Sequence, residues 1–239
     1  MKLIFDHTKG FGKMRDKVIF YMPFGAFFDQ SEYDEALNTG WFPANKDIWF
    51  QSRSTRINLS LYESNRTTEK IAKDIRCYPD VRMTPEKKAR LEEIYKKYLA
   101  YKQYKNISFS IDDMIANSHG HIYYTYENKI IGFLFFKIVN KNFLAVEFGW
   151  DYENPKLSLG NVSIHYAAIL AKTRRCTHMY MSAGYESCCA YKANYKGFEW
   201  WTGYSWSSDT EQYKKLCYED DLVIILDKEE IDFYQKEQA

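Results

Sequence analysis

The order of strand-like and helix-like segments between residues 121 and 182 constrains the fold of this chain most strongly. From His121 onward, three segments patterned as β-strands read HIYYTY, IIGFLFFKIV and FLAVEFGW, separated by short polar turns. Leu159–Arg175 then has apolar residues at helical spacing, and His178–Ser182 returns to the pattern of a strand. The sequence therefore predicts an antiparallel three-stranded meander, a half-buried helix and a strand that rejoins the sheet.

This order of elements resembles the core of the acyl-CoA N-acyltransferase-like folds, usually called GNAT. The expected fold class is therefore α+β, with a mixed, mostly antiparallel sheet, flanking helices and an N-terminal α/β extension. We expect three segments: an N-terminal α/β region (1–105), a GNAT-like core (106–206) and an acidic C-terminal segment packing on the core (207–239). Such a fold does not by itself identify a substrate.

The N-terminal region carries helix and strand patterns of its own. The expected strands are Val18–Met22 and Ile57–Tyr62, and the expected helices run from Ser31 through Asn38, from Arg66 to Arg76 and from Pro85 to about Tyr104. Pro85 suits the first position of a helix because its missing N–H would have no partner there.

The composition excludes several classes of protein. Hydrophobic residues make up 46% and charged residues 27%, unlike a disordered or collagen-like chain. The longest apolar run, Ile130–Phe136, has seven residues, whereas a membrane span needs about 20. The first ten residues, MKLIFDHTKG, lack the apolar stretch of a secretory signal. We therefore expect no membrane partner and a cytoplasmic location.

Charge and aromatic content each leave two interpretations open. The net charge is +7 over residues 51–105 and −6 over residues 207–239, although the whole chain carries only +1. The basic segment suits either phosphate binding or a solvated lysine-rich helix surface. Aromatic residues make up 18% of the chain, which reflects either AT-rich codon usage or a platform on which bases stack.

The start of the central helix is a poor site for coenzyme A. Acyl-CoA enzymes of this fold place R/Q-x-x-G-x-G/A there, so that backbone N–H groups hold the pyrophosphate. The equivalent stretch, Pro155–Val162, reads PKLSLGNV and has one glycine. The sequence therefore predicts an acyl donor other than coenzyme A.

Four stretches of the sequence, in order over roughly residues 30–205, carry a more specific resemblance. They are Tyr33–Trp41, Arg56–Lys73, Leu91–Tyr101, and Leu157–Gly160 followed by Gly184-Tyr185, Lys192 and Tyr195-Lys196-Gly197. They resemble the aminoacyl-tRNA protein transferases of the N-degron pathway, in the arginyl branch and its bacterial leucyl branch. The last stretch matches that family's Gly-Tyr-x6-Lys-x2-Tyr-Lys spacing.

The chain also departs from that family at its metal-binding segment. Family members usually carry a cysteine cluster between the Gly-Trp segment and the first strand, and this region reads FPANKDIWFQSRSTR here. The five cysteines are odd in number and none are in CxxC spacing. We therefore expect reduced thiols, no metal and no cofactor in a divergent member of the family.

The resemblance implies a reaction and a set of site residues. The α-amine of a protein or peptide would attack the ester of an aminoacyl-tRNA, with arginine or leucine as the amino acid transferred. The implied catalytic residues are Tyr185 and Lys196, to which we add Glu186, which is not a family position. The implied substrate contacts are Ser158, Gly160, Gly184, Lys192 and Tyr195. The predicted tRNA contacts, all within the basic segment, are Arg53, Arg56, Arg66, Lys70 and Lys73.

Two other functions and three other residue roles stay open from the sequence. The chain could be a CoA-dependent GNAT N-acetyltransferase or an inactive tRNA- or peptide-binding module. Glu186 could be an ordinary solvated carboxylate, and His165 a structural histidine rather than a base. A covalent acyl relay through Cys188-Cys189 competes with two inert thiols, which we favour because adjacent side chains of a strand point apart.

Overall fold

The computed structural model describes residues 4–6, 19–23, 30–43, 48–51, 53–80, 82–102 and 110–221 of the 239-residue chain. The chain divides into two compact units that interleave along the sequence. The first unit comprises Met1–Ser54, Ala183–Asn194 and Trp200–Ala239, and the second comprises Thr55–Ser182 and Tyr195–Glu199. The three segments predicted from the sequence, with boundaries at residues 105 and 206, do not coincide with these two units and stay a prediction.

In its described residues, the first unit contains a four-stranded antiparallel sheet, two α-helices and a 3-10 helix. Its elements are β1 (Ile4–Asp6), β2 (Ile19–Pro23), α1 (Gln30–Asn38), β3 (Trp41–Pro43), β4 (Ile48–Gln51), a 3-10 helix (Ser187–Asn194) and α6 (Thr210–Asp220). The strand order is β1-β2-β4-β3. Asp209 caps α6 by accepting the Gln212 N–H at 2.9 Å, and α6 packs against the 3-10 helix.

The larger sheet has eight strands, and most of their residues belong to the second unit. The elements are β5 (Ser54–Asn58), α2 (Arg66–Ala72), β6 (Arg76–Asp80), α3 (Pro85–Lys102), α4 (Ile111–Ala116), β7 (Gly120–Tyr126), β8 (Lys129–Val139), β9 (Asn142–Trp150), a 3-10 helix (Pro155–Leu157), α5 (Leu159–Thr173), β10 (His178–Ala183), β11 (Phe198–Trp201) and β12 (Trp206–Ser207). The strand order is β12-β11-β5-β10-β9-β8-β7-β6.

The predicted core order is confirmed. Strands β7, β8 and β9 form an antiparallel meander, α5 follows, and β10 pairs in parallel with β9. A parallel pair needs a long crossover, which α5 supplies here. The fold class is therefore α+β with a mixed, mostly antiparallel sheet and flanking helices, as the sequence predicts.

Two predicted elements of the N-terminal region are wrong at their C-terminal ends. The strand predicted over Ile57–Tyr62 ends at Asn58, because the Asn58 side chain accepts the Ser60 N–H at 3.1 Å and starts a turn. The helix predicted to reach Arg76 ends at Ala72, and Arg76 instead begins β6, where it pairs with Thr125 of β7.

The core of the second unit lies on both faces of the meander. One face packs Phe133 and Phe135 of β8 against Leu91 and Ile94 of α3. On α5 the buried residues are Leu159, Val162, Ser163, Ala167, Ala168 and Ala171. Small residues predominate there, which allows the helix to lie close to the strands that it contacts.

Gly197 is expected to be essential for stability because of its backbone conformation. Its φ is +79°, and a Cβ atom would clash with the Asn58 carbonyl oxygen. Replacing Gly197 with alanine should lower the free energy of unfolding by about 1–3 kcal/mol, measured by urea denaturation. Gly160→Ala is the control, because a Cβ atom at Gly160 would meet nothing within 4 Å. Equal stability of both variants would contradict this account.

Glu147 of β9 is expected to make stability fall as pH rises. Burial raises the pKa of Glu147 to about 7, although the Phe148 backbone and the Tyr95 hydroxyl each lower it in part. Between about pH 4.5 and pH 7 the unfolded chain loses this proton while the folded chain keeps it, so unfolding becomes easier by on the order of 3 kcal/mol. Urea denaturation at pH 5 and pH 8 should show that Glu147→Gln removes this dependence. The exposed Glu153→Gln is the control, and identical pH profiles for Glu147→Gln and the unaltered chain would contradict the prediction.

Candidate active site

Gly184, Tyr185 and Glu186 follow β10 within the first unit, and Arg53 holds the first two. The Gly184 N–H donates to the Arg53 carbonyl oxygen at 2.8 Å, and the Arg53 N–H donates to the Tyr185 hydroxyl oxygen at 3.0 Å. The Arg53 guanidinium also lies 4.7 Å from the centre of the Tyr185 ring. A backbone hydrogen bond and a cation–π contact, both from Arg53, therefore fix the position of Tyr185.

Asp220, at the end of α6, joins Arg53 to the same segment. Arg53 donates to both Asp220 oxygens, at 2.7 and 3.3 Å, and Asp220 also accepts the Glu186 N–H at 2.9 Å. Burial lowers the pKa of Arg53, but the hydrogen bond and charge of Asp220 raise it above the ordinary value. The Arg53 side chain is only 15% exposed, so it is not presented to solvent as a surface phosphate-binding arginine would be.

Lys192 and Glu186 are both buried in the first unit, at 8% exposure each. The Lys192 ammonium donates to the Ala183 carbonyl oxygen at 2.8 Å and so ties the 3-10 helix to the end of β10. Glu186 has a φ of +64°, a left-handed conformation that costs free energy in a residue other than glycine. Glu186 is therefore not the solvated carboxylate that the alternative interpretation expects.

In the second unit, three predicted substrate-binding residues meet at the start of α5. Ser158 precedes the helix with a φ of +44°, and Gly160 lies in its first turn beside open space. The Tyr195 hydroxyl donates to the Asn161 side-chain oxygen at 2.6 Å. The Ser158 side chain does not cap the helix, so the first N–H groups of α5 are candidates to bind an anion or carbonyl oxygen, with a tyrosine fixed beside them.

Lys196 and Arg56, also in the second unit, form ion pairs of opposite character. Lys196 pairs with Glu63, and both side chains are about two-thirds exposed, so water screens the pair. Arg56 is buried and donates to Glu199 at 2.6 Å and to the Tyr180 hydroxyl at 3.2 Å. Arg56 therefore stabilises the sheet, and its guanidinium is mostly withdrawn from solvent.

The three predicted tRNA contacts on α2 are more accessible to solvent than Arg53 and Arg56. Arg66, Lys70 and Lys73 are all exposed and follow one another at helical spacing on α2 and its C-cap. Asn65 begins the helix by accepting the Thr68 N–H at 2.7 Å, and α2 packs on α5. No ion pair or hydrogen bond within the described ranges engages these three side chains, so their charges are available to phosphates.

The structure also locates the residues with competing interpretations. Burial lowers the pKa of His165, and its Nδ1 lies 3.3 Å from the Tyr62 hydroxyl. Cys188 and Cys189 lie in the 3-10 helix rather than in a strand, so the strand geometry assumed for them is wrong. Within the described part of the chain, no cluster of His, Cys, Asp or Glu could hold a metal ion. None of the helices there is long and apolar enough to cross a membrane.

Sequence reasoning missed Asp220, Asn161 and Glu199 as partners of site residues. Asp220 is one of ten acidic residues after position 206. The composition of this segment therefore does not distinguish Asp220 from the other nine. The acidic excess of that segment predicts solvated carboxylates, whereas Asp220 is 6% exposed. No local pattern distinguishes it from Asp221, which is exposed.

A family model described as "Arginine-tRNA-protein transferase, C terminus" matches residues 78–202, just over half of the chain. No curated protein sequence matches this chain at a significant level.

Comparison with solved structures finds partial similarity at low sequence identity. L-PGS from Bacillus licheniformis is 12% identical, with a TM-score of 0.48, over 71% of this chain and 55% of that one. The C-terminal domain of a protein assigned as a lysylphosphatidylglycerol synthetase from Agrobacterium fabrum is 11% identical, with a TM-score of 0.46, over 63% and 51%. A GCN5-related glucosamine N-acetyltransferase region of a fungal β-N-acetylglucosaminidase is 14% identical, with a TM-score of 0.42, over 73% and 22%. The chain thus spans about half the length of the first two.

Proposed function

Because this chain belongs to the arginine-tRNA-protein transferase family, whose C-terminal model matches residues 78–202, we propose that it transfers an amino acid from aminoacyl-tRNA to the α-amine of a protein or peptide. Arginine and leucine are the expected amino acids, and tagging for the N-degron pathway is the expected consequence. The family match over residues 78–202 is the observation that carries the proposal.

The reaction needs positioning more than activation. The acceptor nitrogen forms a bond to the ester carbonyl carbon, the bond from that carbon to the ribose oxygen breaks, and the amine proton passes to the departing oxygen. An ester is already reactive, so holding the amine and ester together and relaying one proton lowers most of the barrier. This chemistry requires no step through a metal or cofactor.

Tyr185 is the proposed proton-transfer or oxyanion-binding residue. Its hydroxyl oxygen accepts the Arg53 N–H, so its own proton can be directed elsewhere. Glu186, buried next to it, is the alternative proton acceptor. Gly184 and Lys192 support this segment through their bonds to Arg53 and Ala183.

Substrate contacts in the second unit are proposed on separate grounds. Ser158, Gly160 and Tyr195 would bind a carbonyl or phosphate oxygen at the start of α5. The exposed Lys196, the other proposed catalytic residue, would place its positive charge beside the reacting ester. The exposed basic face of α2 would bind the tRNA backbone.

The decisive experiment supplies the purified chain with a total pool of labelled aminoacyl-tRNAs and a peptide acceptor with a free N-terminus. Transfer of one amino acid to the peptide, identified by mass spectrometry, is the expected result, and blocking the peptide N-terminus should abolish it. Transfer of acetyl groups from acetyl-CoA instead would favour the N-acetyltransferase alternative. Tight tRNA binding without any transfer would favour an inactive binding module.

A further inference from the structure

The carboxylate of Asp220 lies where it can control the geometry of Tyr185 through the residues that it bonds. It belongs to α6, in the acidic C-terminal segment, outside the part of the chain that the family model matches. It is 6% exposed and has two hydrogen-bonding partners in the candidate site. One is the Arg53 guanidinium, and the other is the Glu186 N–H.

These bonds constrain Tyr185 at two places, its side chain and the backbone that follows it. On one side, Arg53 contacts the Tyr185 ring with its guanidinium and the hydroxyl with its backbone N–H. On the other side, the residue after Tyr185 is bonded directly to Asp220 at 2.9 Å. An arginine side chain that is mostly shielded from solvent and bonds both oxygens of a carboxylate has little freedom to rotate. One carboxylate therefore fixes both the guanidinium that contacts the Tyr185 ring and the backbone that follows Tyr185.

We propose that Asp220 and Arg53 are positioning residues, which orient Tyr185 for aminoacyl transfer. The proposal deepens the proposed function and rests on it for its catalytic half. The charge of Asp220 fixes the Arg53 guanidinium, and the guanidinium in turn contacts the Tyr185 ring. The basic side chain of Arg53 thus serves the reacting centre instead of the tRNA backbone.

A double-mutant cycle separates positioning from a general structural role. Asp220→Asn keeps the size of the side chain but removes its charge, and should slow single-turnover transfer by about 10- to 100-fold while leaving the dissociation constant for tRNA within about 2-fold. In a chain that already carries Tyr185→Phe, the same change should slow transfer by less than about 3-fold, because the group that it orients is gone. An equal loss in both backgrounds, or no loss in either, would overturn the proposal. Arg53→Lys is the second variant, since it keeps the positive charge but loses the two-pronged bond.

Asp221 provides a matched control on the same helix end. Its carboxylate accepts the Ser187 N–H at 3.1 Å but is exposed and does not bond Arg53 in the described structure. Asp221→Asn should leave transfer within about 2-fold of the unaltered chain. A loss as large as that of Asp220→Asn would show that both changes simply loosen α6.

Amide hydrogen exchange tests the positioning without any assay of activity. Asp220→Asn should speed exchange of the Glu186 N–H by about 10-fold or more, whereas Asp221→Asn should speed only that of Ser187. Unchanged exchange at Glu186 would contradict the proposal even if transfer falls. If the unaltered chain transfers no amino acid at all, the proposed function fails, and the exchange result alone decides whether Asp220 holds this segment.

Discussion

Replacing Tyr185 with phenylalanine is expected to slow amino acid transfer by on the order of 10- to 1000-fold, the range for losing one positioned proton-transfer or oxyanion partner. The ring should stay in place, because its contact with the Arg53 guanidinium does not use the hydroxyl. The change therefore removes one oxygen and its proton from a tyrosine that is only 9% exposed. Single-turnover transfer from preformed aminoacyl-tRNA measures this loss apart from tRNA release.

Two comparisons make the Tyr185 result specific. Tyr218→Phe changes a 59% exposed tyrosine on α6, and should leave the transfer rate unaltered. A Cys188→Ser, Cys189→Ser double variant should also be nearly silent, since neither thiol has an assigned covalent role. If the cysteine variant abolishes transfer while Tyr185→Phe does not, an acyl-thioester relay replaces direct attack of the amine.

Reversing the charge of Arg66 and Lys70 to glutamate is expected to weaken tRNA binding by about 10-fold or more at low salt. Each phosphate contact contributes a slope of about −0.9 to the dependence of log affinity on log salt. Three contacts, from Arg66, Lys70 and Lys73, would therefore reduce the affinity by about 40-fold between about 50 and 200 mM salt. Titration of labelled tRNA over this salt range should give a smaller slope for the variant, by about 2.

The matched control reverses two lysines on another helix. Lys214→Glu, Lys215→Glu on α6 makes the same change in net charge, but these lysines already lie beside Glu211 and Glu219. This control should change the affinity by less than about 3-fold. Equal weakening by both double variants would mean that tRNA responds to total charge and not to the α2 face.

The sequence by itself determined the order of elements from β7 to β10 in the second unit. The meander, α5 and β10 were predictable because a strand has a side-chain period of two and a helix one of 3.6, and burial on a sheet face makes both visible locally. The turn between β7 and β8 was also predictable, since Asn128 tolerates its φ of +63°. The family was recognisable from motifs of short range, and the match over residues 78–202 confirms it.

Only the tertiary structure decided which charged residues are free and which are committed. Arg53 and Arg56 have the same local signal as Arg66, namely a basic side chain in a basic segment. However, Arg53 finds Asp220 at a separation of 167 residues, and Arg56 finds Glu199 at a separation of 143. Such pairs form because a buried charge must be matched by an opposite one, and no local pattern names the partner. Arg66 stays exposed because it lies on the outer face of a helix whose buried residues are Thr68 and Ala72.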